Sequence, residues 1–458
     1  MEELKTIISD SKAARWTALI VVSFTMFAGY YISDVMSPLK GLLENQLTWN
    51  STDYGFFTSA YGWFNVFLFF LIIGGIILDK MGIRFTGIAA AAIMAVGTAI
   101  KFWAISNDSL AGSTLFGWKS QVMFAAIGFA IFGVGVEIAG ITVSKIIVKW
   151  FRGKELALAM GLQISIARLG TALAISTSLP IGLHYNDVSI PILIGLIMLI
   201  IGFIAFFMYT FMDKKLDASI KAKNVGNEVA EDEFKLSDIL FIIKNKGWWY
   251  IATLCVLFYS AVFPFLKYAT DLMVNKFGVS DYWAGVIPGL LPFGTILLTP
   301  VFGTIYDRKG KGATIMMIGS VLIILVHLLF AIPFLNNWLI AIVLILILGV
   351  GFSLVPSAMW PSVPKIIPEH QLGTAYALIF WVQNWGLMGV PLLIGWVLSE
   401  FCITGTVVKD GVTTTTYDYT IPMLIFMSFG VLSLLFAYLL KVEDKKKSYG
   451  LEQPNITN

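Results

Sequence analysis

Long apolar stretches constrain this chain more than any other feature. A helix needs roughly 20 mainly apolar residues to cross the hydrocarbon core of a bilayer. Twelve such stretches follow one another: 16–36, 55–78, 86–106, 120–148, 156–180, 189–212, 248–270, 283–305, 313–334, 338–362, 373–399 and 421–440. We therefore predict an all-α membrane protein with twelve transmembrane helices.

Composition agrees with a surface that faces lipid. Apolar residues make up 58% of the chain and charged residues 13%, against about 45–50% and 25% in soluble domains. The formal charge of +3 gives no indication of nucleic-acid binding. The two cysteines, Cys255 and Cys402, lack the spacing of a metal site or a disulfide framework. No nucleophile with a neighbouring base is apparent either, so we expect no metal, no cofactor and no enzymatic activity.

A polar interruption divides the spans into two sets of six. We expect an N-terminal six-helix bundle, a cytoplasmic linker with a surface helix near 228–243, a C-terminal six-helix bundle and a cytoplasmic tail. Their predicted bounds are 1–212, 213–246, 247–441 and 442–458.

Basic residues crowd one side of the predicted spans. They occur at 80–84, 149–154, 214–246, 308–311 and 441–447. The positive-inside rule predicts that this side is cytoplasmic, with both termini inside. On the other side, the longest loop, roughly 402–420, shows no sign of a folded domain.

One motif, G-x-x-x-D-[K/R]-x-G, occurs twice, almost half a chain apart. The copies are Gly75-Ile-Ile-Leu-Asp79-Lys80-Met-Gly82-Ile-Arg84 and Gly303-Thr-Ile-Tyr-Asp307-Arg308-Lys-Gly310-Lys311. We expect the first glycine to permit close helix packing, and the aspartate to hold a basic residue or face a helix N-terminus. The second glycine would permit a tight reversal. Such a turn suits a latch that opens and closes during transport.

On twelve spans, this double motif resembles the major facilitator superfamily over the whole chain. The resemblance implies two pseudo-symmetric bundles around a central cavity, and transport by alternating access. Predicted helices 1, 2, 4, 5, 7, 8, 10 and 11 would line the cavity, and helices 3, 6, 9 and 12 would support them from outside.

Two ionisable residues, Glu137 and Arg168, fall inside predicted spans, where a charge is costly unless it is paired or wetted. They lie at equal sequence distances from the turn at 151–154. At about 1.5 Å per residue, both are roughly 21 Å from that turn. They form either a structural ion pair or a clamp for a zwitterion, with Glu137 on the ammonium and Arg168 on the carboxylate. An extended dipeptide separates those groups by about 7 Å.

Other polar and aromatic residues of the spans are candidates for the cavity lining. Any single aromatic is more often a packing residue than a ligand contact, whereas Asn384 is expected in the cavity because a buried amide needs a partner. Lys267, near the outer end of helix 7, fits snorkelling and substrate binding about equally well. The candidates for substrate binding are Tyr30, Tyr61, Asn65, Tyr259, Trp360, Gln383 and Asn384.

Several segments resemble the branch of the superfamily that includes an animal lysosomal dipeptide uniporter. They are Trp150 to Leu156, Gly161 to Arg168, Val262 to Phe265, Trp360-Pro361, Pro368 to Tyr376 and Gln383-Asn384. The resemblance implies that Glu137 and Arg168 hold the two ends of a dipeptide, with Trp360 and Asn384 in the lining. The N-terminus departs from it, because Glu3-Leu-Lys-Thr-Ile7-Ile8 is only a loose approximation to an acidic dileucine signal.

We therefore predict a monomeric dipeptide uniporter, since the helix 1 motif of proton-coupled oligopeptide transporters is absent. The alternatives are a proton-coupled carrier of another small organic anion or zwitterion, and a non-transporting membrane receptor. The expected partners are a dipeptide and the lipid bilayer, with no nucleic acid and an accessory glycoprotein only in a eukaryote. Short loops suit a multi-pass protein of a bacterial inner membrane, or of the lysosomal membrane if the source is eukaryotic.

Overall fold

The structure, a computed structural model, describes residues 7–151, 154–222, 236–368, 371–409 and 412–455. The first half of the chain forms helices and one very short hairpin. The helices are α1 Lys12–Asp34, α2 Lys40–Leu47, α3 Ser51–Ser59, α4 Trp63–Phe67, α5 Phe70–Ser106, α6 Ser120–Phe151, α7 Leu156–Tyr185 and α8 Ile190–Ala222, and the strands are β1 Thr114–Leu115 and β2 Trp118–Lys119.

The second half repeats this architecture. Its helices are α9 Leu236–Ile243, α10 Lys246–Phe277, α11 Asp281–Ala284, α12 Val286–Lys309, α13 Gly312–Ala331, α14 Trp338–Ile366, α15 Leu372–Phe401 and α16 Thr420–Lys447, and its strands are β3 Ile403–Lys409 and β4 Val412–Tyr417. The short helix α9 falls within the surface helix expected at 228–243, of which 228–235 lie outside the described residues. The bundle and linker boundaries stay predictions, while α8 and α16 both continue past the residues where we expected each bundle to end.

Within the described residues, eleven helices are long and apolar enough to cross a membrane. One of them, α5, carries the end of one predicted span (55–78) and the whole of the next (86–106), and Gly82 interrupts it between the two with φ 76° and ψ 171°. Positions 74 to 79 pack beside α6 from 138 to 145, in the same direction. Positions 94 to 101 pack beside α6 from 135 back to 128. The chain therefore reverses at Gly82, and the predicted fold of twelve spans in two six-helix bundles is confirmed.

The two bundles meet along two seams, α3 against α15 and α7 against α12. Glycine permits this close approach. A Cβ atom at Gly395 would lie 2.3 Å from the carbonyl oxygen of Ser51, and one at Gly285 would lie 2.2 Å from that of Ile175. Small residues at helix interfaces bring backbones together in this way in membrane proteins.

Strands β3 and β4 form an antiparallel hairpin between α15 and α16. It lies in the loop 402–420, where the sequence shows no sign of a folded domain. Both strands are rich in valine and threonine, whose branched side chains favour strands. We call this side of the molecule the hairpin end, and the opposite side, which carries Asp79, Arg84 and Asp307, the basic end.

The glycines of the repeated motif have two different roles at the basic end. Gly82 and Gly310 have φ of 76° and 67°, so both have the backbone conformation expected for a tight reversal. The packing role predicted for Gly75 and Gly303 is wrong, since a Cβ atom at either position would meet nothing within 4 Å. Gly75 faces the central cavity instead, and its neighbour Gly74 makes the close contact with α6.

The charged residues of the first motif copy are held inside the N-terminal half. Asp79 pairs with Lys145 of α6 at 3.0 Å. Arg84 pairs with Asp217 at 3.0 Å and lies 3.6 Å from Asp213, both in α8. The aspartate therefore binds a basic residue, as expected, but that residue lies outside the motif.

The second copy is held by the C-terminal segment. Asn455 donates hydrogen bonds to Asp307 from its side chain (2.8 Å) and from its backbone N–H (2.9 Å). The backbone N–H of Lys311 donates to the carbonyl oxygen of Glu452 at 3.0 Å. Arg308 is exposed in the last turn of α12.

Candidate substrate site

A cavity of about 760 Å³ lies between the two bundles. Helices α1, α5, α6 and α7 line it on one side, and α10 and α15 line it on the other. Of the predicted substrate residues, four contribute to this lining: Tyr30, Tyr61, Glu137 and Gln383.

Glu137 presents its carboxylate to the cavity from the middle of α6. The phenol of Tyr61 donates a hydrogen bond to Glu137 Oε1 at 2.7 Å. Tyr61 lies between α3 and α4, and the backbone there touches α6. A Cβ atom at Gly133 would be 2.3 Å from the carbonyl oxygen of Tyr61. Oε2 accepts no hydrogen bond from any described residue. One oxygen is thus fixed, and the other is available to a ligand.

Arg168 lies beside the cavity rather than in its lining. Its neighbours Ala167 and Thr171 do line the cavity. The guanidinium carbon of Arg168 is 5.1 Å from the centre of the Phe352 ring, which belongs to α14 of the other half. A cation over an aromatic face is attracted by the ring's quadrupole. Among the described residues, no carboxylate lies within 4.0 Å of this guanidinium.

Glu137 and Arg168 do not form an ion pair in this conformation. Both side chains lie near the Tyr30 phenol, and Tyr30 is 37% exposed and lines the cavity. Of the two alternatives left open by the sequence, the structural ion pair is therefore not observed. An acidic and a basic side chain therefore lie beside one cavity, and neither has an oppositely charged partner within 4.0 Å among the described residues.

The structure does not bring Asn65 and Asn384 into the lining. Asn65 donates to the carbonyl oxygen of Gly133 at 3.4 Å. Asn384 donates to that of Phe380, one turn back on its own helix, at 2.9 Å. Only the amide nitrogens are bonded in this way, since Oδ1 of each residue is buried and has no hydrogen-bond partner among the described residues. Asn384 is absent from the cavity lining, so burial of an amide did not place it there.

Trp360 and Tyr259 form a second layer behind the lining. The indole N–H of Trp360 donates to the Tyr259 hydroxyl at 3.2 Å. The Trp360 ring stacks at 5.0 Å on Phe380, which does line the cavity. Tyr259 packs edge-on against Phe352 at 5.9 Å. These residues therefore support the aromatic wall and Arg168 from behind.

Sequence reasoning missed an ion pair that joins the two halves. Lys267 Nζ lies 2.6 Å from Asp34 Oδ1, and Thr171 donates to Asp34 Oδ2 at 2.8 Å. All three residues line the cavity. No spacing rule pairs a residue of α1 with one of α10, so the sequence left Lys267 between snorkelling and binding.

The cavity is closed towards the hairpin end and extends towards the basic end. The Tyr54 hydroxyl donates to the carbonyl oxygen of Lys267 at 2.8 Å, on the hairpin side of the Lys267–Asp34 pair. In the opposite direction the lining continues to Asp79, Ser144 and Thr374, close to the basic end. A pathway to only one side is the arrangement that alternating access requires.

A model of the Major Facilitator Superfamily matches residues 19–391. The chain belongs to this superfamily. It is similar to the lysosomal dipeptide transporter MFSD1 of Homo sapiens, with 28% identity over 399 residues that cover 85% of this chain and 81% of the human protein.

Two solved structures of superfamily transporters show the same fold. A mutant of the nucleoside transporter NupG has a TM-score of 0.68 and 15% identity, covering 92% of this chain and 99% of NupG. A bacterial homologue of the human lysosomal transporter Spinster, in an inward-facing and unoccupied conformation, has a TM-score of 0.67 and 13% identity, covering 95% of this chain and 98% of that one. The protein is therefore a multi-pass membrane transporter.

Proposed function

We propose that this transporter carries dipeptides by alternating access, with Glu137 holding the peptide ammonium and Arg168 the carboxylate. The observation that carries the proposal is an acid and a base that border one cavity between the bundles and are not paired with each other. Unpaired charges at membrane depth mark substrate pathways.

Each group has the chemistry that its role needs. Tyr61 fixes one oxygen of Glu137 and leaves Oε2 for an ammonium. Arg168 has a planar guanidinium that can bind a carboxylate with two parallel hydrogen bonds. Its guanidinium carbon lies over the Phe352 ring, an apolar neighbour that does not compete for the N–H donors.

The similarity to MFSD1, whose name describes it as a dipeptide transporter, supports the same substrate class. We propose uniport because the two clamp residues grip the substrate without exchanging a proton. The basic end would face the cytoplasm, with both termini inside. We propose the cell membrane as its location if the source is a bacterium, and the lysosomal membrane if the source is a eukaryote.

Thermal stability of the purified protein tests the proposal. A dipeptide that binds only the folded state raises the melting temperature, by an amount that grows with the logarithm of its concentration divided by its Kd. Dipeptides should stabilise the wild type and Asp79→Asn, a control that changes a cavity carboxylate already paired with Lys145. They should not stabilise Glu137→Gln or Arg168→Met at the same concentrations.

Single amino acids and monovalent organic anions complete the panel. Equal stabilisation of the wild type and both variants by dipeptides would contradict the clamp. Stabilisation by organic anions that needs Arg168 but not Glu137 would indicate an anion carrier in which Glu137 is only a counter-charge.

A further inference from the structure

A buried charged cluster lies at the hairpin end, away from the substrate cavity. Lys40, the first residue of α2, has a side chain that is 1% exposed. Its ammonium is 2.6 Å from Glu44 Oε1 on the same helix and 3.1 Å from Asp271 Oδ2 of α10. The cluster therefore joins the two halves through one lysine.

Two tyrosines that flank the end of strand β4 complete the cluster. The Tyr417 hydroxyl donates to Glu44 at 2.8 Å, and the Tyr417 ring lies 4.0 Å from the Lys40 ammonium. The Tyr419 hydroxyl donates to Asp271. Hydroxyl donors and a π face compensate the desolvation of these charges, which would otherwise cost several kcal/mol per ion.

The hairpin itself is anchored in one half and reaches over the other. The Tyr417 backbone N–H donates to Asn275 of α10 at 2.9 Å, inside the C-terminal half. From the same strand, the Thr414 hydroxyl donates to Asn45 of α2 at 3.4 Å, inside the N-terminal half. Strand β4 thus spans the closed entrance from the C-terminal half to α2.

Alternating access requires these contacts to break. If the halves part at the hairpin end, Lys40 keeps Glu44, which is on its own helix, but loses Asp271 and Tyr417. Water that enters the opening then solvates all the separated charges. A buried ion pair adds little net stability, because desolvation offsets most of the attraction. It therefore selects one arrangement of the halves without making it irreversible.

We propose that Lys40 is a gating residue that locks the hairpin end of the transporter closed, and that strand β4 is a strap on this lock. The proposal requires the alternating-access fold but not the dipeptide. Without its ammonium, Glu44 and Asp271 would lie buried near each other with hydroxyl donors but no positive charge between them, and only in the closed state. Removing the charge must therefore shift the population towards the state that is open at the hairpin end.

Spin-label distances in nanodiscs, measured without substrate, test this proposal. Phe116 and Phe334 are 86% and 80% exposed, in loops of opposite halves at the hairpin end. Cysteines at these two positions can be labelled, since both native cysteines are buried. In Lys40→Met, a longer distance should appear, with the ratio of open to closed protein raised at least about tenfold.

Lys119→Met is the matched control. Lys119 pairs with Asp53 at 2.8 Å at the same end, but both residues belong to the N-terminal half. This variant should keep the parent distance distribution. The proposal is overturned if Lys40→Met keeps the parent distribution, or if Lys119→Met shifts it equally.

Tyr417→Phe tests the role of strand β4, and this test can be made even if Lys40→Met yields little folded protein. It removes one hydroxyl that donates to Glu44 and keeps the ring over Lys40. A smaller shift in the same direction, about threefold, is expected, because Glu44 still accepts hydrogen bonds from Lys40 and Ser51 when the Tyr417 hydroxyl is removed. An unchanged distance distribution in Tyr417→Phe would show that β4 does not help to hold the hairpin end closed.

Discussion

The two walls of the cavity differ in chemistry, although the two halves share one fold. The wall from the N-terminal half carries Tyr30, Asp34, Tyr61 and Glu137, with Arg168 beside it. The wall from the C-terminal half is mainly aromatic and apolar, with Phe263, Pro264, Tyr376, Phe380, Leu387 and Pro391. Its one cation among the described lining residues, Lys267, is neutralised by Asp34.

Under the proposed function, this difference would separate recognition of the substrate's charges from recognition of its side chains. Glu137 and Arg168 belong to neighbouring helices of one bundle, α6 and α7, so their separation stays constant while the bundles rock against each other. The backbone ends of every dipeptide are alike, and a fixed pair of charges suits them. Side chains vary, and a smooth aromatic wall accommodates them without demanding particular hydrogen bonds.

Removal of the acid from the N-terminal wall should have the largest effect. A hydrogen bond to a charged group contributes about 1.5–3 kcal/mol, so Glu137→Gln should weaken dipeptide binding roughly tenfold to a hundredfold. The loss should be the same for every side chain. Tyr61→Phe, which only frees the carboxylate to rotate, should cost about fivefold. Isothermal titration of several dipeptides measures the loss of affinity in each variant. A loss that depends on the dipeptide's side chains would contradict the separate roles of the two walls.

An aromatic residue of the C-terminal wall should have an intermediate and selective effect. Phe380→Ala removes a ring that lines the cavity and stacks on Trp360. Lost apolar contact of about 1–1.5 kcal/mol corresponds to about tenfold. Dipeptides with large apolar side chains should bind about that much more weakly, and glycylglycine should bind as before. An equal loss for glycylglycine would mean that the wall acts on the peptide backbone.

The contact between the walls should have the smallest effect. Phe352→Leu removes the ring under Arg168, a cation–π contact of about 0.5–1 kcal/mol, so binding should weaken a few-fold. Phe258→Leu is the matched control, because Phe258 stacks on Phe352 at 6.0 Å from within the C-terminal half. The difference between the two variants should vanish for dipeptide amides, which lack the carboxylate. If the difference persists with amides, Phe352 does not act through binding of the carboxylate.

Hydropathy alone predicted most of the fold, because lipid requires every span to satisfy its backbone internally as a helix. It also separated the spans on the two sides of Gly82, where a single residue with positive φ reverses the chain. The hairpin β3–β4 was missed although Asp410-Gly411, between its two strands in the sequence, is a pair that favours hairpin turns.

For the candidate site, the sequence could predict how deep a residue lies in the membrane, but not which side chains it contacts. The spacing of Glu137 and Arg168 from one turn located both beside the cavity. Whether Asn384 turns to the cavity or to its own helix depends on the rotation of α15, which the sequence does not specify. Phe352 was missed because its role depends on a contact between α14 and α7, in different halves. The run Phe258-Tyr259 followed by Phe263 was the available signal for an aromatic wall there.

Chemical removal of each peptide charge, combined with removal of its partner, tests the clamp most directly. Binding of one dipeptide, its N-acetyl form and its C-terminal amide would be measured on the wild type, Glu137→Gln and Arg168→Met. Acetylation should weaken binding to the wild type and to Arg168→Met but should have little further effect on Glu137→Gln. Amidation should weaken binding to the wild type and to Glu137→Gln but should have little further effect on Arg168→Met. Equal penalties in all three proteins would contradict the assignment of either end of the peptide to these residues.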